Sequence, residues 1–333
     1  MVDPTPEPDE AAVVAASGDN GASPTSSGDA VLAVDVGTRS FQVGLVTPKG
    51  ALVDRRTAPL EPDVGPESHY TSLAGIVVEL LAEAATRHRL RVLGLGVTCG
   101  GRVTRGLELV TPISVGSWRD FPLKSRLEEL TSLPVHGDLD AKGLALAEGW
   151  LGAAQGQSNF LAVTVAAGVS GAIVLDGDLV DGESGHAGHI AHVVVEPGGR
   201  RCHCGTQGCL DAEASGAAIE EITGRPATEP SFQIMERTGT LVGRAAGSMC
   251  NLFDLSLVVV GGSVALGFGS TFFRAAQVAL DEQARTPYSR GARLIPSRLG
   301  EQGPLLGAGA AGWRGVRRAA RQRRPRGQPP SAR

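Results

Sequence analysis

Two stretches of this chain, far apart, follow one plan. Val31–Val36 (VLAVDV) is a short apolar run, followed after Gly37 by Phe41–Val46 (FQVGLV) and the turn residues Pro48, Lys49 and Gly50. Leu161–Leu175 (LAVTVAAGVSGAIVL) repeats the plan as two apolar runs around Gly168. Each reads as a strand–turn–strand unit. The two turn glycines lie about 130 residues apart, the distance of a domain and not of a short repeat of about 20–50 residues. Two similar halves are expected.

The segments between them alternate in type. Ser72–Arg91 has apolar residues at 73, 76, 77, 80, 81 and 84, which is helical spacing, with Ser72 as a candidate N-cap. Val92–Thr98 (VLGLGVT) reads as a buried strand, and Leu255–Gly262 (LSLVVVGG) as a strand entering a glycine pair. Alternating strand and helix suggests a layered α/β protein. A length of 333 residues fits about two domains. Aromatic residues are scarce at 4% while glycine numbers 46, so the core is built from small residues and tight approaches.

Formal net charge is −4, which points to neither nucleic acid nor membrane as a global partner. No basic and then apolar leader opens the chain, and no apolar run nears the roughly 20 residues that span a bilayer. A cytoplasmic, reducing setting is expected. Both ends are biased: residues 1–30 hold six acidic residues and no basic ones, and Arg314–Arg333 holds eight arginines and no acid. A helix through Gly312–Ala320, then disordered tail, is expected there, with 1–30 a disordered acidic tail. No aromatics interleave with the arginines for base stacking, so specific nucleic-acid binding is not expected.

Three stretches admit a chemical or a structural reading. Asp35-Val36-Gly37-Thr38 ends a strand in a carboxylate and a small-residue turn. It is either an ordinary hairpin or a phosphate cradle with a carboxylate near Mg²⁺. The P-loop pattern is absent. Ala166–Gly171, including Gly168 and Ser170, is a second turn of the same kind. Asp138-Leu139-Asp140 opens a helical stretch, where a carboxylate either caps free N–H groups or serves as a general base toward a hydroxyl.

The densest signal is Arg201–Leu210 (RCHCGTQGCL), which holds three of the five cysteines. Cys202, Cys204 and Cys209 have the spacing C-x-C-x₄-C, and a structural zinc needs one more ligand. His186, His189, His192 and His203 are candidates. His203 sits between two likely ligands, so His192 is favoured. A disulfide with one free thiol is the alternative.

Ala187-Gly188-His189-Ile190-Ala191-His192, the cysteine segment and Leu210-Asp211 through Ser215-Gly216 together resemble the signature of the ROK family of repressors, open reading frames and sugar kinases. That pattern runs A-G-E-x-G-H, then C-x-C-G-x-x-G-C-L-E, then S-G. Val31–Val46 resembles the family's first phosphate segment, Trp118–Glu148 the run entering its catalytic Asn-Asp pair, and Asn251–Val264 its adenosine-side glycines. The resemblance covers about residues 31–316. It implies an actin-like, ribonuclease H-like sugar-kinase fold, two α/β domains around a central cleft. The expected division is 31–136 and 137–303, with a helix at 304–320 returning to the first domain and a disordered tail at 321–333.

It also implies ATP, Mg²⁺ and a structural Zn²⁺. Asp140 is the expected general base. Asp35, Gly37, Thr38, Gly168, Ser170, Gly261 and Gly262 are the expected nucleotide and Mg²⁺ contacts. Leu139, His189, His192 and Asp211 occupy sugar-side positions, and His192, Cys202, Cys204 and Cys209 the zinc positions. A homodimer is expected by analogy with relatives. Transcriptional members carry a DNA-binding helix-turn-helix ahead of the first phosphate strand, and about 30 residues are too few for one.

Departures fall in both phosphate segments, where Gly37-Thr38-Arg39 stands for the family's Gly-Gly-Thr and Ala166, Ala167 and Ser170 replace a glycine-rich run, and on the sugar side. Leu139 stands where the family has Asn, His189 where it has Glu, Ala191 where it has Gly and Asp211 where it has Glu. Losing one buried hydrogen bond to a sugar hydroxyl costs about 1–3 kcal/mol. The expected function is an ATP-dependent kinase of a hexose-class sugar with an altered pocket. The alternative is a weakened or non-catalytic sugar-sensing protein.

Overall fold

A computed structural model describes residues 28–322. The tails expected at 1–30 and 321–333 fall largely outside the described residues. At the inner edge of the first, Asp29 and Ala30 already belong to a strand and are buried.

The first half contains β1 (Asp29–Val36), β2 (Ser40–Val46), β3 (Leu52–Pro59), α1 (Pro66–Thr86), β4 (Arg91–Cys99), the small pair β5 (Gly101–Val103) and β6 (Val110–Pro112), α2 (Leu123–Thr131) and β7 (Val135–Leu139). Its main sheet has the order β3-β2-β1-β4-β7. β1 pairs antiparallel with β2 and parallel with β4, and β4 pairs parallel with β7. After α3 (Asp140–Leu151) the plan recurs in β8 (Phe160–Val165), β9 (Val169–Leu175), β10 (Asp178–Leu179), α4 (Leu210–Ala214), α5 (Gly216–Thr223), α6 (Phe232–Phe253), β11 (Leu257–Gly261), α7 (Ser263–Gln283) and β12 (Arg293–Pro296). The second sheet runs β10-β9-β8-β11-β12, with the same antiparallel and parallel senses. The two glycine turns thus occupy equivalent places in two equivalent sheets.

The chain leaves the first sheet after Leu139, so the boundary expected at 136/137 cuts through β7. The last helix, α8 (Gly303–Gln322), returns to the first sheet. Trp313 donates its indole N–H to the Val46 carbonyl at 3.1 Å. Gly312 and Gly96 bring the backbones of α8 and β4 together, where a Cβ on Gly96 would strike the Ala308 carbonyl. This helix begins nine residues before the Gly312 start read from the sequence.

α1 also differs from expectation. It begins at Pro66 and ends at Thr86, while Arg91 opens β4. Ser72 is therefore mid-helix and exposed, not an N-cap. Proline at the first helical position carries no N–H to satisfy and has φ already set, which starts the helix about two turns earlier. Among the described residues no helix is long and apolar enough to cross a membrane.

Candidate active site

Both turns and the N-terminus of α3 converge on two carboxylates, the buried Asp35 and the half-buried Asp140. Asp35 ends β1 and accepts a hydrogen bond from Thr98 Oγ1 at 3.1 Å. Burial pushes its carboxyl up to about 7; the Thr98 hydroxyl opposes the shift and the neighbouring Asp140 adds to it. Asp140, the first residue of α3, accepts from Ser170 Oγ at 2.7 Å and from the Ala141 N–H at 2.7 Å. Burial raises its pKa as well, against those two donors. Two desolvated carboxylates that repel one another favour a cation between or beside them. That donor set fits Mg²⁺, a hard ion with oxygen ligands.

The first turn presents its tip to solvent. The Gly37 N–H closes the hairpin on the Ser40 carbonyl at 3.2 Å, and Ser114 Oγ donates to the Gly37 carbonyl at 2.7 Å. Thr38 and Arg39 are exposed. Gly37 therefore shapes the turn with its own polar groups already bonded, leaving Thr38 and the Arg39 cation facing solvent.

The second turn is tied down. Gly216 N–H reaches the Ala166 carbonyl at 2.8 Å, Ala217 N–H reaches Ala167 at 3.1 Å, and Val169 N–H donates to Asp211 Oδ1 at 2.8 Å. Ser170, expected among the phosphate contacts, directs its hydroxyl onto Asp140. Asp211, expected on the sugar side, binds the turn through Oδ1, while its Oδ2 lies 3.8 Å from His203 Nδ1. Beyond the turn, Gly261 ends β11 and Gly262 opens α7 with φ +96°. A Cβ at Gly262 would collide with the Val165 carbonyl, so glycine is required for this strand-to-helix turn.

The cysteine segment forms a compact ligand set. Ligand atoms of His192, Cys202, Cys204 and Cys209 all lie within 4.8 Å of one another. The Cys204 and Cys209 sulfurs are 3.7 Å apart, and Cys202 Sγ is 3.6 Å from His192 Nδ1. Tetrahedral zinc with bonds of about 2.3 Å requires ligand separations near 3.8 Å, and a disulfide requires about 2.05 Å; the separations suit the metal. All five cysteines are free thiols. Their acidities are spread by unequal burial and hydrogen bonding. The Thr206 N–H lowers Cys204 to about 7, whereas burial pushes Cys209 up to about 12 and raises Cys202. His203 lies outside the set, largely exposed.

Four imidazoles run in a row from this cluster. Ring centroids are 5.3 Å apart for His203–His192, 5.5 Å for His192–His189 and 6.2 Å for His189–His186. His189 is half-buried, and burial, followed by its histidine neighbours, lowers its pKa to about 4. It is neutral at pH 7, and its Nδ1 is buried with no hydrogen-bond partner. Leu139 is 1% exposed and packs into the apolar core of the first half. It faces away from solvent entirely.

Several functional neighbours escaped the sequence reading. Thr98 and Ser114 carry no local signal, because each acts on a residue more than sixty positions away. Lys142 is 1% exposed and donates to Asp138 at 3.2 Å and Asp181 at 3.1 Å. The Asp138–Lys142 pair has i,i+4 spacing, which was visible in the sequence.

Residues 31–312 match the ROK family. The glucokinase of Halalkalibacterium halodurans is 29% identical over 308 residues, covering 83% of this chain and 92% of that protein. The N-acetylmannosamine kinase of Shigella flexneri is 32% identical over 296 residues, covering 84% of this chain and 96% of that protein. The solved ROK hexokinase from Thermus thermophilus superposes with a TM-score of 0.74 at 29% identity, covering 87% of this chain and 99% of that one. The duplicated sheets and paired turns are thus those of an actin-like fold, and the chain belongs to the ROK family.

Proposed function

We propose that the protein is an ATP-dependent sugar kinase that transfers the γ-phosphoryl group to a hydroxyl of a hexose-class sugar. The observation that carries this reading is Asp140: a half-buried carboxylate of raised basicity, oriented by Ser170, between the two turns. The sugar oxygen attacks the γ-phosphorus, the bond to the bridging β–γ oxygen breaks, and ADP departs. Asp140 takes the hydroxyl proton. A carboxylate whose pKa is raised accepts that proton more readily than an exposed one. Phosphoryl transfer depends chiefly on positioning and charge neutralisation.

Asp35 is the residue that would hold Mg²⁺, which when bound neutralises phosphate charge. Thr38 and Arg39 meet the phosphates from one side, the Gly168 turn meets them from the other, and the Gly261-Gly262 turn lies on the adenosine side. His192, Cys202, Cys204 and Cys209 would hold a structural Zn²⁺. With that ion held, these four residues would fix the segment leading to Asp211, which binds the second turn through Val169. A cytoplasmic homodimer completes the reading.

His189 is the re-tuned sugar contact. A family Glu accepts hydrogen bonds only, whereas a neutral imidazole donates one and accepts one. Leu139 packs in the core, so restoring Asn there places an amide in apolar surroundings. His189→Glu is the more informative restoration. The test is ATP turnover by zinc-loaded protein over glucose, mannose, N-acetylglucosamine and N-acetylmannosamine. Turnover of any member supports the reading; silence across the panel in folded protein refutes it. The second reading, a non-catalytic sugar sensor, draws on the lost polar group at Leu139 and the neutral His189. It predicts sugar binding by calorimetry with no ADP formed.

A further inference from the structure

A cavity of about 350 Å³ lies away from the two turns, where the free edge of β7 meets α8. Its wall includes His136 and Asp138 from β7, Lys142 from α3, Arg314 and Arg318 from α8, and the segment Asp181–Gly185 that follows β10. Elements of both halves therefore share it. None of Asp35, Thr38, Gly168, Ser170, Asp140 or His189 lines it.

The charges of this wall do not cancel. Lys142 is held by Asp138 and Asp181, and Arg314 Nη2 lies 3.8 Å from Asp181 Oδ2. These four groups balance one another. Lys124, also on the wall, is paired with Glu108 at 2.5 Å. Two guanidiniums remain. Among the described residues Arg318 acts only through its charge, on Asp181 at a distance, and Arg105 makes one bond, from Nη1 to the Glu183 carbonyl at 3.1 Å. An excess of two positive charges matches a phosphate monoester, which carries about −1.5 to −2 at pH 7. Guanidinium forks suit tetrahedral phosphate oxygens, and the cavity is within the size range of small-molecule sites, about 300–1,000 Å³.

We propose that this cavity is a second ligand site, separate from the catalytic cleft, that takes a phosphate-bearing small molecule with Arg105 and Arg318 as its anion contacts. A bare phosphate and a sugar phosphate share this chemistry. The site stands independently of the kinase reading.

The test is calorimetry on the full chain, titrated separately with inorganic phosphate and glucose 6-phosphate, with saturating AMPPNP and glucose present so that the cleft is filled. At least one probe is expected to bind under these conditions. Binding should weaken about tenfold or more in the double variant Arg105→Gln/Arg318→Gln. Tighter binding of glucose 6-phosphate than of phosphate assigns the sugar ester as ligand, and equal binding assigns the phosphate group alone; both support the site. Binding unchanged in the double variant, binding abolished by AMPPNP, or no binding of either probe overturns it. Both arginines are surface residues, and an unchanged thermal midpoint shows that the variant is folded. If AMPPNP itself fails to bind, the kinase reading suffers, while the difference between wild type and double variant still decides this site.

Discussion

The β1–β2 turn and the β8–β9 turn have the same sequence plan and the same place in their sheets, yet they are held in opposite ways. The first hangs from its own strands, with one side-chain bond from Ser114 to the Gly37 carbonyl and an exposed tip at Thr38 and Arg39. The second is bonded at Ala166, Ala167 and Val169 to the chain that follows the cysteine cluster. The two turns are equivalent in place, but only the second is tied to the chain that follows the cysteine segment. Asp140 is the point common to both, since it repels Asp35 beneath the first turn and accepts from Ser170 behind the second.

Removing that common point has the largest expected effect. Asp140→Asn should reduce kcat by about 10²–10⁴-fold, the usual contribution of a positioned general base, in a coupled ADP-release assay. The amide oxygen still accepts from Ser170, and a neutral group suits a half-buried position where desolvation already raises the carboxyl's pKa. The thermal midpoint should therefore stay level or rise. A fall in midpoint with activity intact would assign Asp140 a structural role only.

Next is the dependence of the second turn on the cysteine cluster. Cys209→Ser should lower bound zinc from about one per chain to near zero by elemental analysis, because a structural site needs all four ligands. Hydrogen exchange should quicken at Val169 and Ala217 while the amides of β1 and β2 keep their protection. Equal loosening of both turns would show that the two are coupled through the core and would erase the contrast.

The sequence carried the repeated strand–turn–strand plan because burial imprints a period on apolar residues. It carried the ligand set of the cysteine segment because metal ligands must be close, and close ligands are commonly close in sequence. It did not carry what crosses between elements. That Ser170 turns toward Asp140, that Leu139 points into the first core and that Asp211 bonds to the second turn all follow from how α3 and α4 pack. A side chain one strand position away would face the opposite side of the sheet. The start of α1 was misplaced for a local reason: periodicity marks the buried face of a helix, while Pro66 sets where it begins.

The pH dependence separates the two carboxylates from the thiols. Asp35 has its pKa raised to about 7 in the folded chain and titrates near 3.9 when unfolded. Between those values the unfolded state releases a proton that the native state keeps. The Mg²⁺-free protein should therefore lose stability as pH rises from about 4 through 7, with Asp140 adding in the same sense. Urea melts at pH 5 and pH 8 check this, and Asp35→Asn should flatten the difference. Mg²⁺ affinity should rise over the same range, since the ion competes with the Asp35 proton. A stability that climbs with pH would mean that neither carboxylate is desolvated as described.

The smallest effect isolates one bond of the second turn. Asp211→Ala leaves the buried Val169 N–H without its acceptor, which should cost about 1–3 kcal/mol in chemical denaturation, with zinc content unchanged. Asp211→Asn retains an oxygen that accepts from Val169 and should cost well under about 1 kcal/mol. The pair of variants distinguishes two roles for Asp211. If both variants lose turnover alike, its charge acts on the sugar. If Asn preserves turnover and Ala reduces it, Asp211 serves by holding Val169, and through the turn it holds Ser170 against Asp140.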